Sequence, residues 1–162
     1  MGLPRELRIK DGKLIQTPVS GVYGLRDGEA PADGTIPAAC EIEVTFGDTD
    51  ADFNLFTKAD GTGGLTMHYD AAKRVCTFDK SGMINRCNEQ IGEVLDMPLE
   101  NGLRKLDIFV DRSTVEYFAN DGEATFSAHS YPTAEEFHYT ANGAAAVKIW
   151  NMKASVKDDF VV

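Results

Sequence analysis

The sequence predicts an all-β protein, organised as a two-sheet antiparallel β-sandwich of the jelly-roll or concanavalin-like kind. Residues 106–130 alternate in character with a period of two, which is the period of a β-strand. About a dozen short segments of this type follow one another, separated by turns rich in glycine and aspartate. No segment shows a convincing 3.6-residue period, so we expect little or no helix. A single up-and-down barrel is the alternative architecture.

The segment from Leu106 to Ser130 predicts three strands that fold back on one another twice. The breaks fall at residues 111–113 and at residues 120–122. Asp121-Gly122 in the second break supplies the positive φ angles that a tight hairpin turn needs. The alternating apolar positions are Leu106, Ile108 and Val110 in the first strand and Val115, Tyr117 and Ala119 in the second.

The first half of the chain predicts a hairpin, a loop and four strands. Glu6–Thr17 forms the hairpin and turns at Asp11-Gly12. Val19–Pro37 is rich in Gly, Pro, Asp and Ala, which predicts a loop with one short extended piece around Val22–Leu25. The strands that follow are Ala38–Phe46, Phe53–Lys58, Gly64–Tyr69 and Arg74–Asp79.

The second half begins with an irregular excursion, because Ser81–Gly102 lacks a clean period and contains several glycines and a proline. After the three-strand segment, short strands are predicted at Phe137–Tyr139, Ala144–Trp150 and Met152–Lys157. No internal repeat, low-complexity tract or linker divides the chain. Residues 1–162 are therefore expected to form a single β-sandwich domain.

Composition and charge argue against two classes of partner. The chain has 162 residues and a formal net charge of −10, and such a surface repels phosphate backbones and anionic membranes. We therefore expect no nucleic-acid and no membrane partner. No window approaches the ~18 apolar residues of a membrane helix. The first residues lack an apolar signal-peptide core, which points to the cytoplasm.

Cys40, Cys76 and Cys87 are odd in number and show no Cys-x-x-Cys pair. Buried reduced thiols are the expectation that follows, rather than a metal site. The sequence accordingly predicts no metal-binding residue and no cofactor-binding residue. Gly61, Gly63 and Gly64 do not open a helix, which argues against a phosphate-binding loop.

Paired carboxylates are the first candidates for chemistry on an acidic β-sandwich, since glycoside hydrolysis uses two of them. Glu41 and Glu43 lie on one strand face, about 7 Å apart. Asp111 and Glu116 share a face across the first break of the three-strand segment. Because a solvated strand face gives the same pattern by default, we do not assign catalysis to either pair, and a small lectin-fold hydrolase is kept as a minor hypothesis.

The other polar and aromatic candidates favour structural roles. His68, His129 and His138 have no nearby nucleophile or ligand in sequence, so hydrogen-bonded or surface positions are expected. Trp150 and Tyr117 have side chains that could stack on a sugar, although a single tryptophan on an apolar strand favours the core. Residue types and spacing alone thus predict no catalytic residue.

The most characteristic motif of the chain is the run from Leu106 to Glu123, LDIFVDRSTVEYFANDGE. Other motifs are Leu3–Leu7 (LPREL), Lys10–Val19 (KDGKLIQTPV), Tyr69-Asp70, Phe78–Ser81 (FDKS), Glu93-Val94 and Met97–Leu99 (MPL). Taken together and in this order, they resemble the C-terminal part of glycoside hydrolase family 32, which comprises the invertases and sucrose-6-phosphate hydrolases. The resemblance covers essentially the whole chain.

The resemblance implies a non-catalytic domain. In that family an N-terminal five-bladed β-propeller carries the catalytic carboxylates, in Trp-Met-Asn-Asp-Pro-Asn-Gly-like, Glu-Cys and Arg-Asp-Pro motifs. This sequence contains none of the three, and Cys40-Glu41 is the reverse dipeptide. We therefore expect a fragment that lacks the propeller, supports it in the parent protein and contributes to a homodimer contact in some arrangements. The parent would act on a sucrose-type saccharide.

The supporting role predicts an apolar or mixed patch that this chain leaves exposed. Phe109 and Phe118 lie on the strand face opposite Ile108 and Val110, and they serve either such a contact or a second packed layer, which we favour. A free-standing carbohydrate-binding module is the alternative to the supporting role, and it rests on the sandwich class, Trp150 and Tyr117.

Overall fold

The computed structural model describes residues 2–85 and 92–155, and it confirms the predicted all-β architecture. Within these residues it contains thirteen strands and one short helix. Their bounds are β1 Arg5–Lys10, β2 Lys13–Pro18, α1 Ser20–Tyr23, β3 Arg26–Ala30, β4 Ala39–Phe46, β5 Ala51–Thr57, β6 Gly64–Asp70, β7 Val75–Gly82, β8 Val94–Pro98, β9 Lys105–Asp111, β10 Thr114–Ala119, β11 Ala124–His129, β12 His138–Asn142 and β13 Ala144–Met152.

Two large antiparallel sheets form the sandwich. The six-stranded sheet has the order β11-β10-β9-β4-β13-β3, and the five-stranded sheet has the order β12-β5-β6-β7-β8. Strands β1 and β2 form a separate hairpin. The predicted two-sheet sandwich is confirmed, as are the N-terminal hairpin and the three-strand segment, which becomes β9, β10 and β11.

The core lies between the two sheets. On the six-stranded sheet one inward row runs across five strands in register, from Phe126 through Tyr117, Ile108 and Ile42 to Ile149. Four of these five side chains are fully buried, Phe126 being only partly so. Facing them from the five-stranded sheet are Phe53, Leu55, Leu65, Met67 and Phe78. Burial of such side chains on both faces supplies the main driving force for the sandwich.

A second, smaller apolar layer covers the outer face of the six-stranded sheet. Phe109 and Phe118 point away from the main core, and their rings meet edge to face with centroids 5.9 Å apart. Val22 is buried against them, and Leu3 and Tyr23 pack alongside. The N-terminal segment thus lies across this face, and the preferred interpretation of the two phenylalanines as a packed layer is confirmed.

The expected extended piece around Val22–Leu25 is wrong. Residues Ser20–Tyr23 form one helical turn, closed by amide-to-carbonyl bonds from Val22 to Val19 and from Gly24 to Gly21. The strand comes later, at Arg26–Ala30, where it pairs with the edge of β13. Its sequence, Arg-Asp-Gly-Glu-Ala, has almost no β propensity, so pairing with β13 decides its conformation.

Two predictions about the second half are also corrected. The excursion Ser81–Gly102 contains a strand, β8, which pairs with β7 at the edge of its sheet. Its side chains are mostly exposed and do not alternate between apolar and polar, so the sequence pattern did not predict this strand. Ala144–Met152 is one strand, and 153–155 are not extended into the separate strand predicted for Met152–Lys157. Residues 86–91, 156 and 157 lie outside the described residues.

Gly122, in the turn between β10 and β11, lies against Gln16 of the β1–β2 hairpin, and we expect that a larger residue is not tolerated there. Its φ is +95°, and an added Cβ would lie 2.3 Å from the Gln16 carbonyl oxygen. Gly122→Ala should therefore lower the free energy of unfolding by about 2–5 kcal/mol, the sum of left-handed strain and overpacking. Urea denaturation measures this change.

Gly28→Ala is the matched control, because Gly28 also has a positive φ, +86°, but nothing lies within 4 Å of its added Cβ. It should lower the free energy of unfolding by only about 1–2 kcal/mol. Equal losses for the two variants would show that the close approach of Gly122 to Gln16 is not tight in solution.

Candidate functional site

One row of side chains on the outer face of the six-stranded sheet carries two buried carboxylates. Strand pairing places Ser127, Glu116, Phe109, Glu41 and Trp150 side by side on β11, β10, β9, β4 and β13. Glu116 and Glu41 therefore flank Phe109, with their Cα atoms two strands, or about 9–10 Å, apart. Buried carboxylates need a cation or several hydrogen-bond donors, and each of these two is met by an arginine.

Glu41 binds Arg26 of β3. The Glu41 side chain is 0% exposed, and its Oε2 and Oε1 accept hydrogen bonds from Arg26 Nε at 2.7 Å and Nη2 at 2.5 Å. The guanidinium also lies over the ring of Trp150, 3.9 Å from its centroid, and 5.3 Å from that of Tyr23. This bidentate, aromatic-flanked pair ties β3 and α1 to the centre of the sheet.

Glu116 binds Arg5 of β1 in a similar way. Its side chain is 4% exposed, and its Oε2 accepts a hydrogen bond from Arg5 Nη2 at 2.6 Å. The Leu3 amide donates to Oε1 at 2.5 Å. We call the two pairs Arg26–Glu41 and Arg5–Glu116 the outer-face clamps, because each joins an arginine from the N-terminal part of the chain to a carboxylate on a more interior strand of the sheet.

The two carboxylate pairs considered from sequence share faces as predicted, but the clamps divide each pair. Glu41 is held by Arg26, whereas Glu43 contacts Lys105 at 3.1 Å. Glu116 is held by its own arginine, whereas Asp111 is exposed at the end of β9. Neither pair presents two carboxylates to an open cleft. The arrangement therefore indicates that Glu41 and Glu116 stabilise the fold by binding their arginines.

A second charged group surrounds Lys105 at the start of β9. Its Nζ lies 3.1 Å from Glu43, 3.2 Å from Asp107 and 3.4 Å from Asp121. Asp107 faces Glu43 directly across the β4–β9 pair. Burial raises the pKa of Asp107 to about 6, although Lys105 opposes the rise. Asp107 Oδ1 has no hydrogen-bond partner within the described part of the chain, which is consistent with a poorly solvated carboxyl.

The three histidines occupy separate places on the sandwich. His68 is exposed and its Nδ1 lies 2.7 Å from Asp52 Oδ1. His129 is exposed at the end of β11, with Nδ1 3.3 Å from the Ser113 carbonyl oxygen. His138 begins β12 and is half-buried. The predicted surface or hydrogen-bonded positions are confirmed for His68 and His129.

The two aromatic candidates for sugar stacking lie in different environments. Tyr117 is fully buried, with its ring centroid 5.0 Å from that of Phe78 and 5.7 Å from that of Phe126, so its ring offers no open face for a sugar. Its burial agrees with its place in the alternating apolar row of the strand. Trp150 is half-buried on the outer face under Arg26, so the expectation that it belongs to the core is wrong.

Cys40 and Cys76 are buried free thiols, as expected, and burial raises the pKa of both to about 12. Cys87 lies outside the described residues. Among residues 2–85 and 92–155, no group of three or more His, Cys, Asp or Glu side chains is placed to hold a metal ion. In the same residues, every helix is too short or too polar to cross a membrane.

A cavity of about 320 Å³ lies on the outer face beside α1 and the end of β13. Leu3, Val22, Phe109 and Met152 are among its apolar lining residues, and Asp111 is the single carboxylate in the lining. A smaller depression of about 220 Å³ lies beside Glu116. Two facing acids, as glycoside hydrolysis requires, are therefore not brought together in either space.

The hairpin β1–β2 carries an exposed apolar patch. Leu7, Ile9 and Leu14 are 61%, 74% and 49% exposed, and Ile9 lies directly opposite Leu14 in the strand pairing. We call these three side chains the hairpin patch. Clustered exposed aliphatic side chains on a two-stranded hairpin are typical of a contact surface, because such a hairpin gains little stability on its own.

The geometry therefore offers a contact surface and two structural clamps, and comparison with known proteins identifies the family of the chain. Residues 13–157 match the family described as "Glycosyl hydrolases family 32 C terminal". The chain belongs to this family. The resemblance found from the sequence motifs is thereby confirmed.

The relatives of this family 32 domain are much longer chains. The sucrose-6-phosphate hydrolase of Lactococcus lactis subsp. lactis is 27% identical over 160 residues, which cover 94% of this chain and 31% of that protein. The Klebsiella pneumoniae sucrose-6-phosphate hydrolase is 33% identical over 130 residues, covering 79% of this chain and 25% of that protein. The chain thus spans about a third or less of the length of these curated relatives.

Solved structures give the same fold. The sucrose-6-phosphate hydrolase of Lactobacillus gasseri superimposes with a TM-score of 0.82 at 23% identity, over 94% of this chain and 33% of that one. The exo-inulinase of Aspergillus awamori gives a TM-score of 0.74 at 23% identity, over 96% of this chain and 36% of that one. The family 32 domain is therefore a sandwich of the same architecture.

Sequence reasoning missed the two arginines of the clamps. Arg26 lies in a segment predicted as loop, and Arg5 was noted only as part of a motif. A signal was nevertheless present, because Glu41 and Glu116 each alternate with core residues on central strands. A carboxylate on the second face of a central strand needs a cation if that face is covered, and the face was not expected to be covered at Glu41.

The raised pKa of Asp107 should be detectable in the pH dependence of the free energy of unfolding. Its pKa is about 6 in the folded protein against 3.8 for an ordinary aspartate, so the folded state holds this proton more tightly than the unfolded state. The stabilising contribution of protonated Asp107 to the free energy of unfolding is fully present below pH 4 and is lost as the pH rises to about 6. In Asp107→Asn, the loss of unfolding free energy between pH 4 and 6 should shrink.

Urea midpoints measured at half-unit pH steps test this expectation. Asp111→Asn, which removes an exposed carboxyl from the same strand face, is the control and should keep the wild-type profile. If Asp107→Asn and the wild type give parallel profiles, the Asp107 carboxyl is ionised throughout this range in the folded protein.

Proposed function

We propose that this chain is the non-catalytic C-terminal sandwich of a β-fructofuranosidase that hydrolyses sucrose or sucrose 6-phosphate. The observation that carries the proposal is the match of residues 13–157 to the family 32 C-terminal domain. Relatives named sucrose-6-phosphate hydrolase and raffinose invertase support the substrate class. The parent would carry its catalytic carboxylates in a preceding five-bladed β-propeller, as the family resemblance implies.

The proposed role of the sandwich is to support that propeller. The hairpin patch is the feature that favours this role, because Leu7, Ile9 and Leu14 are mostly exposed in this chain. The hairpin also exposes Arg8, Lys10 and Lys13, although Arg8 pairs with Glu6 and Lys13 with Glu100, while the whole chain carries a net charge of −10. A partner surface with apolar side chains and acidic groups would complement it.

Self-association of the parent is a further part of the proposal. Val94 and Leu95 are 55% and 45% exposed on β8, an edge strand of the five-stranded sheet. Exposed apolar side chains on an edge strand favour pairing with a second copy. We place the parent in the cytoplasm, a compartment compatible with the free thiols of Cys40 and Cys76.

The carbohydrate-binding alternative keeps one supporting observation, since Trp150 is half-exposed on the outer face. The guanidinium of Arg26, however, lies 3.9 Å from the centroid of this ring and covers one of its faces. A sugar would have to displace an arginine that is bound twice to the buried Glu41. The supporting role is therefore preferred.

The chain alone is expected neither to hydrolyse nor to bind these sugars. Incubation with sucrose, sucrose 6-phosphate and raffinose should release no fructose, because the two buried glutamates are held by arginines. Trp150 is the single tryptophan of the sequence, so fluorescence excited at wavelengths that tyrosine does not absorb reports on its surroundings alone. Titration with the same sugars and a fructan to millimolar concentration should leave this fluorescence unchanged.

The two readouts separate the alternatives. Steady release of fructose would assign chemistry to this chain and contradict the supporting role. A saturable fluorescence change without turnover would favour the carbohydrate-binding module. Trp150→Phe is the control variant, since it must abolish any signal that arises at this ring.

The hairpin patch should matter only in the parent protein. Ile9 is 74% exposed here, so Ile9→Ser should hardly change the stability of this chain. If a propeller covers Ile9 in the full-length protein, the same substitution should lower stability there by about 1.5–3 kcal/mol, the value of burying a large aliphatic side chain. Chemical denaturation of both proteins measures the difference.

Ile84→Ser is the matched control, because Ile84 is 53% exposed and lies outside the hairpin. It should have little effect in either protein. An equally small effect of Ile9→Ser in both proteins would mean that the hairpin patch remains uncovered in the parent.

A further inference from the structure

The buried carboxylate of Glu116 holds the first described residues of the chain on the sheet. Oε1 accepts a hydrogen bond from the Leu3 amide at 2.5 Å, and Oε2 accepts one from Arg5 Nη2 at 2.6 Å. The Ser127 hydroxyl, 3.4 Å from Oε2, is a third donor. Both oxygens are therefore engaged, and two of the three donors come from Leu3 and from Arg5, the first residue of β1.

Arg5 is restrained on its other sides as well. Its Nη1 donates to Gln16 Oε1 and Thr125 Oγ1, both at 3.1 Å, and Nη2 also reaches Ser127 Oγ at 2.9 Å. Its guanidinium carbon lies 5.1 Å from the centroid of the Phe118 ring. A planar group with this many fixed contacts has a single orientation, so β1 extends from the six-stranded sheet's surface in one direction.

The hairpin is attached to the sandwich at its base. The Gln16 amide of β2 donates to the Gly122 carbonyl at 3.1 Å, and the Val19 amide donates to the Pro4 carbonyl at 3.1 Å, which closes the base of the hairpin itself. Towards the turn at Asp11-Gly12 the side chains are largely exposed. Near the turn, Lys13 also pairs with Glu100, but both side chains are exposed and such a pair contributes little. The largely buried contact between Arg5 and Glu116 therefore contributes most to the direction of the hairpin, and with it of the hairpin patch.

We propose that Glu116 is a positioning residue which, through Arg5, sets the orientation of the β1–β2 hairpin and thereby of the catalytic domain that contacts the hairpin patch. The inference rests on the proposed function, because that domain belongs to the parent protein. Glu116 lies in the motif Leu106–Glu123, the most characteristic of the chain. In this proposal, the motif helps to arrange the two domains of the parent.

Hydrogen exchange in this chain tests the clamp directly. Glu116→Gln keeps one acceptor oxygen but turns an NH₂ group towards a donor, either Arg5 or the Leu3 amide. The amides of residues 3–10, apart from Pro4, which has none, should then exchange roughly ten- to a hundredfold faster, as expected for loss of a charge-assisted hydrogen bond. Amides of β5 and β6 serve as the internal reference and should keep their protection.

Glu6→Gln is the matched control, since it breaks an exposed pair with Arg8 on the same strand, 2.8 Å long. It should leave the exchange of residues 3–10 within about twofold of wild type. Arg5→Gln is the second route to the same result if Glu116→Gln folds poorly. Unchanged protection of residues 3–10 in both clamp variants would overturn the proposal.

A double variant separates positioning from general stability. Arg5→Gln with Glu116→Gln removes the uncompensated buried charge that either single change leaves, and two amides can bond to each other. Exchange of residues 3–10 should therefore recover to within about tenfold of wild type, better than in either single variant. Additive losses in the double variant would contradict a specific Arg5–Glu116 contact.

The full-length parent tests the consequence for the catalytic domain. With far-UV circular dichroism unchanged, Glu116→Gln should increase the maximum dimension in small-angle scattering and lower turnover of sucrose or sucrose 6-phosphate, and the double variant should restore both. A loosened hairpin with unchanged scattering and turnover overturns the positioning role alone. A wild-type parent that cleaves neither sugar overturns the proposed function, while the exchange results still decide the clamp.

Discussion

Buried carboxylates on the outer face of the six-stranded sheet are the constraint on which the N-terminal part of this fold depends. Glu41 and Glu116 lie on central strands β4 and β10, flanking Phe109 in one cross-strand row. A carboxylate in such a place needs a cation or several hydrogen-bond donors beside it. Since Arg26 and Arg5 provide these cations, the segment that contains them is drawn across the sheet.

This arrangement also explains why an acidic β-sandwich with well-spaced carboxylates offers no pair for hydrolysis among its described residues. A catalytic pair needs one carboxylate free to attack or accept a proton and one free to donate, facing the same substrate. Here the ring of Phe109 separates the two buried glutamates, and a guanidinium occupies each of them. The same charge that would serve catalysis instead fastens α1, β1 and β3 to the sheet.

The sequence predicted the fold class and most strands because alternation is strong wherever one face of a strand is buried. The row from Tyr117 to Ile149 produces this signal on four neighbouring strands. The edge strands β3 and β8 were missed for the opposite reason, since their side chains are largely exposed and their conformation comes from pairing with β13 and β7. Alternation of apolar and polar residues indicates that one face of a strand is buried, and it is absent where a strand forms only by pairing with its neighbour.

The candidate site was harder to predict because its geometry joins residues far apart in the chain. Arg5 and Glu116 are 111 positions apart, and no local pattern relates them. The exposed hairpin patch and the buried clamp nevertheless belong together physically. A two-stranded hairpin with aliphatic side chains in water is marginal by itself, so it keeps one direction only if its base is fixed. A fixed base is useful if the tip has a partner, and this links the clamp of Glu116 to the supporting role of the domain.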